Sequence, residues 1–443
     1  MKQHYLSLSD DPYIFDRAVL KCFEGKYRRN DVLSFIEKYA GIPRNEVLVD
    51  ELTAREADKN HTSHYPIKLT VARDVGIALE EIVSEIFAGF EPEDFKPVLI
   101  RQRRDGANGK IRDIALLCIL HQLIEHLTFN LLEPLFKAKL KETQHASIPG
   151  HGQTRLKNQV YKFLKGKSGI RYAKKIDGVK AYKSIKYRKV IELVKRDAPR
   201  ATDAITLLTW LGNKAPNGSL IIGGYLDAWL FNYVMSDLIE VGYAQGSFRR
   251  GKFLRHAKKI ITFMDDALIL SSSIKALNSV IKAIFKAAKV RLGLNMRETT
   301  GDLLILSAGE EKIQNGSIYT ASRGATCIDM AGYRIFRTHT TIRKTLFIRI
   351  RRCFLRAKAE LDKTGTIRIQ RARSLVSYYG HFKQTNSAYA IAKYDVERIM
   401  AVAKRIISNK SRYFERIRME ELYDLRERAC DRSAVPCDLG IAA

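Results

Sequence analysis

The segment Ile260–Leu270 reads Ile-Ile-Thr-Phe-Met-Asp-Asp-Ala-Leu-Ile-Leu, two apolar runs separated by Met264, Asp265 and Asp266. Two short apolar runs with so brief a polar connection predict a β-hairpin that carries both acids at its tip. Adjacent, partly desolvated carboxylates repel each other, so a positive group is expected beside them. Either arginine side chains or a divalent metal ion could supply that charge.

A third acid ends another predicted strand, because Arg171–Ile176 is a short strand candidate followed directly by Asp177. Mg²⁺ is a hard cation that one or two carboxylates hold together with substrate phosphates. Two such ions about 4 Å apart would position an attacking 3′-oxygen and a leaving pyrophosphate for in-line displacement. Asp177, Asp265 and Asp266 are therefore the candidate catalytic and metal-binding residues. For each acid taken alone, a solvated turn is the alternative.

The composition indicates a globular protein with a polyanionic partner. The 443 residues include 77 Lys and Arg against 48 Asp and Glu, a formal net charge of +29. An excess of this size favours nucleic acid as the partner. The length predicts two or three subdomains.

The apolar segments favour a cytoplasmic protein without a membrane partner. No apolar run approaches the roughly 18–20 residues that span a bilayer, and Met1–Asp11 lacks the apolar stretch of a secretory signal. The cysteines lie far apart in the sequence, which favours reduced thiols over a zinc ribbon or a disulfide scaffold. They are Cys22, Cys118, Cys327, Cys353, Cys430 and Cys437.

Hydrophobic periodicity predicts the elements around these acids. Leu79, Ile82, Val83 and Ile86 follow a helical pattern, and His121–Phe136 is a second helix candidate. From Val98 onward, two predicted strands flank a basic turn at 105–109. Ser271–Ser273 offers caps for a helix that begins near Ile274, and Asn315-Gly316 marks a hairpin turn. Beyond residue 340 the chain is helical and basic.

Several segments resemble reverse transcriptases. Phe263–Asp266 resembles the aromatic-x-Asp-Asp hairpin of that family, and Asp177–Tyr182 resembles the strand with the first metal ligand. The resemblance extends in order over roughly residues 98–390. It includes Gly109–Arg112 (a finger motif that grips the triphosphate), His145–Ser147 with Gly150–Gly152, Met330–Tyr333 (the primer-grip hairpin), and Ser377–His381 with Asn386-Ser387 (the thumb). It is closest to bacterial retroelement enzymes of the defence-associated (unknown-group) and diversity-generating types.

The resemblance implies an α+β right-hand polymerase with fingers, an antiparallel palm sheet and a helical thumb. The implied domains are a helical N-terminal extension (1–95), fingers (96–172), the palm with the catalytic core (173–335), and the thumb with the C-terminal tail (336–443).

The resemblance also implies roles for individual residues. Nucleotide binding falls to Lys110, Arg112, Gly178, Val179, Lys180, Ala181, Tyr182 and Gly223. Primer and template binding falls to Met330, Gly332, Tyr333, Tyr378 and Tyr379. The Tyr182 ring would exclude a 2′-hydroxyl and so select deoxynucleotides. The alternatives are a core tyrosine at 182, surface charges at 110 and 112, and helix packing for the thumb tyrosines.

The implied function is RNA-directed DNA polymerisation with two Mg²⁺ ions, for which Mn²⁺ can substitute. The partners would be a structured non-coding RNA template, the DNA product, deoxynucleoside triphosphates, and either a second copy of the chain or an accessory protein. The implied setting is antiviral defence in a bacterial or phage-encoded system. The alternatives are a diversity-generating enzyme that makes mutagenised DNA copies, template-independent nucleotide addition, and a non-catalytic RNA-binding protein.

The chain departs from the family pattern in the loop before the hairpin. Related enzymes usually carry Pro near Ile221 and Ser-Gln where this chain has Asp227-Ala228. The backbone role of Gly223 is retained, whereas no Gln side chain is present to make the polar interaction. Arg297 is the candidate for the basic residue near the leaving pyrophosphate.

Overall fold

The computed structural model describes residues 5–50, 67–104, 111–165, 169–300, 303–305, 311–314, 317–320 and 327–433. Residues 44–50 are helical. The other α-helices are α1 (Ile14–Phe23), α2 (Asn30–Ala40), α3 (Ile67–Phe87), α4 (Ile119–Lys139), α5 (Gln153–Lys165), α6 (Ala181–Ser184), α7 (Tyr187–Asp197), α8 (Thr202–Lys214), α9 (Tyr225–Tyr243), α10 (Ile274–Ala287), α11 (Lys344–Thr364), α12 (Ile369–Lys383), α13 (Ala388–Lys393) and α14 (Val396–Ser433).

The strands are short. They are β1 (Leu99–Arg104), β2 (Ile111–Leu116), β3 (Gln144–His145), β4 (Tyr172–Gly178), β5 (Gly246–Arg249), β6 (Lys252–Arg255), β7 (Lys259–Phe263), β8 (Asp266–Ser271), β9 (Met296–Glu298), β10 (Leu303–Leu304), β11 (Glu311–Gln314), β12 (Ser317–Thr320), β13 (Ile328–Met330), β14 (Tyr333–Ile335) and β15 (Thr340–Ile342).

The central sheet has six strands in the order β10-β4-β8-β7-β3, and β9 also pairs with β4. All pairings are antiparallel except that of β3 with β7. The inner strands β7 and β8 are the two apolar runs of Ile260–Leu270, so the predicted hairpin is confirmed. Their apolar side chains are buried on both faces of the sheet, as expected for central strands covered by helices.

One hydrophobic cluster joins the N-terminal helices to the helices beside the sheet. Val19 of α1 and Leu79 of α3 belong to the same buried cluster as Leu127 of α4 and Leu207 of α8. Burial of these apolar side chains is the main stabilising term for such packing. The described part of residues 1–95 is thus mainly helical, and it shares a core with α4 and α8. The domain boundary at 95 stays a prediction.

Two further hydrophobic clusters lie among the described residues outside the first. One lies within α11–α14 and contains Phe354 and Phe382. The other packs α5 against the sheet and against β13 and β14, and contains Leu156 and Ile335. The boundaries at 172 and 335 also stay predictions.

Sequence periodicity located several elements but not their ends. The helix predicted at His121–Phe136 runs from Ile119 to Lys139, and the strand predicted at Arg171–Ile176 runs from Tyr172 to Gly178. Helix α10 begins after Ser273, whose hydroxyl accepts a hydrogen bond from the Ala276 N–H, as the cap predicts. The turn predicted at residues 315–316 lies outside the described residues, between the paired strands β11 and β12.

The described residues include no helix long and apolar enough to cross a membrane.

Candidate active site

The strand register brings Asp177 and the acidic hairpin to the same end of the central sheet. Ile176 pairs with Ala267 across β4 and β8, so Asp177 lies one residue beyond that pair, beside the hairpin tip. Asp266 pairs with Phe263 at the start of β8. Strand β4, which reaches Gly178, therefore carries its acid to the tip where Asp265 and Asp266 lie.

The hairpin turn is fixed by its backbone. Met264 has a φ of 55°, in the left-handed region that few non-glycine residues adopt. Its N–H donates to the carbonyl oxygen of His145 in β3 at 3.3 Å. This bond attaches the turn to the neighbouring strand and offsets part of the cost of the left-handed conformation.

The first two acids are close enough to interact directly. Burial, and then the negative charge of Asp177, raises the pKa of Asp265 to about 6. Burial also raises the pKa of Asp266, while Lys175 acts in the opposite direction. The site therefore has excess negative potential that a cation would neutralise.

Basic side chains already offset part of this charge. Arg297 on β9 donates to Asp177 Oδ2 from Nη2 at 2.6 Å and from Nε at 3.1 Å. Lys175 Nζ lies 3.8 Å from Asp266 Oδ1. Arg297 pairs with Asp177 in the β4–β9 register, which explains why its side chain reaches this oxygen.

The donor set suits a hard divalent cation. In the part of the chain that the structure describes, no three His, Cys, Asp or Glu side chains form a metal-binding group. Asp177 and Asp265 nevertheless present neighbouring carboxylate oxygens, the ligands that Mg²⁺ prefers. The raised pKa of Asp265 shows that a positive charge at this point would be favourable. The residues present therefore fit such an ion, with Asp266 beside them.

Close packing at the end of β4 explains a glycine at position 178. A Cβ added to Gly178 would lie 2.9 Å from the Ala181 Cβ and 3.7 Å from the Asp265 Cβ. Beyond it, the Val179 N–H donates to the Asn295 carbonyl at 2.9 Å, and Lys180 has a φ of 49°. Residues 178–181 thus form a tight turn directly beside Asp265.

Tyr182 lies next to this turn and is largely enclosed. Its ring stacks on Phe231 of α9 with centroids 4.7 Å apart and planes 13° apart. Burial raises the pKa of its hydroxyl, and the charges of Asp227 and Asp265 add to that effect. Tyr182 therefore packs against the core and also lies near the charges of Asp227 and Asp265, so its role stays a prediction.

The loop 221–224 directly precedes α9 in the chain and is hydrogen-bonded to the predicted finger hairpin. The Ala115 N–H of β2 donates to the Ile222 carbonyl at 2.8 Å. Gly223 has a φ of 122°, and a Cβ there would lie 2.7 Å from the Ala115 oxygen, so only glycine fits. Arg112 lies on β2, paired with Arg103 and exposed. Lys110 lies outside the described residues.

The residues assigned to primer and template differ in their surroundings. Met330 and Tyr333 are buried at 0% and 2% exposure, whereas Gly332 forms the turn between β13 and β14 with a φ of 87°. Tyr378 and Tyr379 pack on the core of α11–α14. A nucleic-acid contact at the first hairpin would therefore come from its turn, and the assigned roles stay predictions.

Sequence reasoning overlooked one acid close to the loop. Glu125 of α4 is fully buried and accepts a hydrogen bond from the Tyr225 N–H at 2.9 Å. The available signal was an acid inside the apolar run Leu123-Ile124-Glu125-His126-Leu127, where a solvated face is not expected.

Comparison with known proteins defines the class of the central domain. Residues 100–299 match the family described as "Reverse transcriptase (RNA-dependent DNA polymerase)". This segment includes Asp177, Asp265 and Asp266 and is similar to a reverse transcriptase domain, which indicates an RNA-directed DNA polymerase, a nucleotidyltransferase. The resemblance noted from the sequence is confirmed at that level.

Among solved structures, the chain is similar to "Structure of apo telomerase from Candida Tropicalis truncated from C-terminal domain". The sequence identity is 11%, the TM-score is 0.36, and the match covers 60% of each chain. The chain thus spans about 60% of that structure's length. No curated protein sequence matches this chain.

Proposed function

We propose that the chain is a reverse transcriptase that adds deoxynucleotides to a primer by two-metal phosphoryl transfer. The observation that carries the proposal is the register that brings Asp177 beside the hairpin tip with Asp265 at one end of the central sheet, where the charge of Asp177 helps to raise the pKa of Asp265. Both acids lie within the segment that matches the reverse transcriptase family. Two carboxylates on adjacent strands are the donor set that this chemistry needs.

The reaction forms a bond between the primer 3′-oxygen and the α-phosphorus and breaks the bond from that phosphorus to pyrophosphate. Asp177 and Asp265 would hold two Mg²⁺ ions, or Mn²⁺ in their place, and Asp266 would add negative charge beside them. When bound, these ions lower the energy of the developing negative charge. Arg297 is within reach of the same carboxylates, where a guanidinium can stabilise a leaving pyrophosphate.

The nucleotide would lie between the turn 178–182 and the Gly223 backbone. Lys110 and Arg112 would neutralise its triphosphate. In this arrangement Tyr182 is the residue that selects deoxynucleotides. The turn's position beside Asp265 supports this assignment.

The RNA template and DNA product would lie in a groove between fingers, palm and thumb, with the domain boundaries given above. Gly332 and the exposed parts of Tyr378 and Tyr379 would contact the primer strand, beside the buried Met330 and Tyr333. From the resemblance alone, we place the enzyme in bacterial antiviral defence, where it copies an associated non-coding RNA. A diversity-generating role with an accessory protein is the competing assignment.

Primer extension with Mg²⁺ on an RNA template tests the activity. The wild type should extend the primer, and Asp265→Ala/Asp266→Ala should lose at least about a thousandfold in rate, as expected when metal-binding carboxylates are removed. Glu81→Ala is the matched control, because it removes an exposed carboxylate from α3. Equal extension by the wild type and the double variant would refute the proposal.

The same assay separates the alternatives. Each deoxynucleotide supplied singly, without RNA, should give no homopolymer. Homopolymer that forms independently of RNA would replace templated copying with template-independent addition. RNA binding without any extension would favour a non-catalytic RNA-binding protein.

A further inference from the structure

Two buried acids lie directly beneath the loop 221–224. Glu125 of α4 and Asp227 of α9 both have 0% exposure. A Cβ built on Gly224 would lie 2.5 Å from Glu125 Oε1 and 2.1 Å from Asp227 Oδ2, so these two oxygens converge on one point. Neither of these two oxygens accepts a hydrogen bond from a donor among the described residues. Two carboxylate oxygens can bond to each other only if one of them carries a proton.

The remaining oxygens attach both ends of the loop. Glu125 Oε2 accepts from the Tyr225 N–H at 2.9 Å, at the first residue of α9. Tyr187 O–H donates to Asp227 Oδ1 at 3.0 Å, and the Ile221 backbone amide helps to lower the pKa of the same carboxyl group. The carboxyl pair therefore holds the residues on either side of Gly223 and Gly224.

The electrostatics favour a single negative charge on this pair. Burial, and then the charge of Asp227, raises the pKa of Glu125 well above its ordinary value. Burial raises the pKa of Asp227 to about 7, although the Tyr187 hydroxyl acts to lower it. Two charges enclosed together would be strongly unfavourable. Because Glu125 Oε1 and Asp227 Oδ2 converge without another donor among the described residues, one proton between them would satisfy both oxygens.

We propose that Glu125 and Asp227 are positioning residues that share one proton and thereby fix the Gly223 loop for the incoming nucleotide. The proposal rests on the proposed function, because Gly223 is where that nucleotide would lie. Loss of the shared proton would leave two repelling carboxylates beneath the loop and release Ile221 or Tyr225. The expected effect is a higher KM for the deoxynucleotide, with a smaller effect on kcat.

The pair should make nucleotide binding sensitive to pH. When folding raises the pKa of an acid, its protonated form stabilises the folded arrangement of the loop. This stabilisation is complete at low pH and is lost as the pH rises through the folded pKa. The titratable groups that interact with the pair are Tyr187, Tyr225, Tyr182 and Cys22. Burial raises the pKa of each of these groups. All four therefore stay neutral over the range in which the pair loses its proton.

Glu125→Gln is the decisive variant, because its amide can donate to Asp227 and still accept from Tyr225 without titrating. The wild-type KM should rise from about pH 6 to about pH 9, whereas the KM of Glu125→Gln should stay within about twofold over that range. Glu125→Ala removes the bond and should raise KM about tenfold at neutral pH. An equal pH dependence of KM in the wild type and in Glu125→Gln would overturn the proposal.

An infrared measurement tests the shared proton without any activity. The wild type at neutral pH should show the C=O stretching band of a protonated, buried carboxylic acid, and Glu125→Gln should lack that component. Asp265→Ala is the control, because it removes the other carboxyl pair and leaves this band in place. Absence of the band refutes the shared proton. If the wild type shows the band but does not polymerise deoxynucleotides, the proposed function is refuted and the shared proton is not.

Discussion

The two carboxyl pairs of this protein differ in what lies around them. Asp177 is bonded by the side chain of Arg297, which is 62% exposed to solvent, and Lys175 lies near the neighbouring Asp266. Glu125 and Asp227 are enclosed and rely on a proton and on neutral donors. The first pair is therefore suited to exchange cations, whereas the second is suited to hold a fixed geometry.

Arg297 should compete with a divalent cation for Asp177 Oδ2. We expect Arg297→Gln to bind Mn²⁺ about threefold more tightly, since an exposed ion pair is worth about 0.2–1 kcal/mol. Calorimetric titration of Mn²⁺ into the protein without nucleic acid measures this. Arg291→Gln is the matched control, because Arg291 pairs with Asp237 on α9. Weaker binding by Arg297→Gln would show that Arg297 supports the ion and does not compete with it.

Tyr182 provides a second test at the residue scale. Tyr182→Ala removes the ring, and we expect the ratio of ribonucleotide to deoxynucleotide kcat/KM to rise about tenfold or more, as for other steric pockets. Tyr182→Phe retains the ring stacked on Phe231 and should leave the ratio unchanged. Single-nucleotide incorporation measures both ratios. If Tyr182→Ala leaves the ratio of ribonucleotide to deoxynucleotide kcat/KM unchanged, Tyr182 is a core residue only.

The sequence was sufficient to predict that Asp177, Asp265 and Asp266 lie at one end of the sheet, and it did not predict the position of Glu125. Asp265 and Asp266 are visible because short apolar runs flank them, and the strand pattern leads directly to Asp177. Glu125 and Asp227 lie far apart in the chain, and although the apolar run around Glu125 indicates burial, nothing in the sequence indicates that Asp227 is its neighbour. Only the packing of α4 on α9 brings them together. Periodicity reports which face is buried but not which residue of another element lies opposite.

At the element scale, α9 approaches the sheet unusually closely. A Cβ on Gly242 would lie 2.5 Å from Ile260 Cδ1 and 3.1 Å from Ile284 Cδ1. Helix α9 carries the loop 221–224 at its N-terminal end and covers β7 near its C-terminal end. Helix α9 therefore links the loop 221–224 to the strands of the acidic hairpin.

Two glycine-to-alanine substitutions test that packing. Gly242→Ala should lower the free energy of unfolding by about 1–3 kcal/mol, because the added methyl must displace buried isoleucines. Gly380→Ala in α12 is the matched control. A Cβ there meets no described atom within 4 Å, and alanine should stabilise a helix by about 0.5–1 kcal/mol. Denaturant unfolding followed by circular dichroism measures both. Stabilisation by Gly242→Ala would contradict the close approach.

At the scale of the whole molecule, the positive charge is distributed unevenly among the helices. Many cations of the N-terminal helices have acidic partners: Arg17 pairs with Asp11, Arg29 with Asp31, and Arg44 with Glu37. In α11, by contrast, the cations form a dense exposed series that includes Arg351, Arg352 and Arg356. Charge counted along the sequence cannot make this distinction, because ion pairing depends on the fold.

This difference predicts where RNA phosphates are neutralised. Replacing Arg351, Arg352 and Arg356 with Gln should reduce the slope of log K for RNA binding against log salt by about 0.7–0.9 for each phosphate that the protein no longer neutralises. The matched control replaces Arg17, Arg29 and Arg44 with Gln. It removes the same formal charge from cations that already have acidic partners, so its slope should change little. Fluorescence anisotropy over a range of salt concentrations gives both slopes. Equal reductions would mean that RNA responds to the net charge of the molecule and not to α11, because long-range attraction depends on total charge and direct neutralisation of phosphates depends on position.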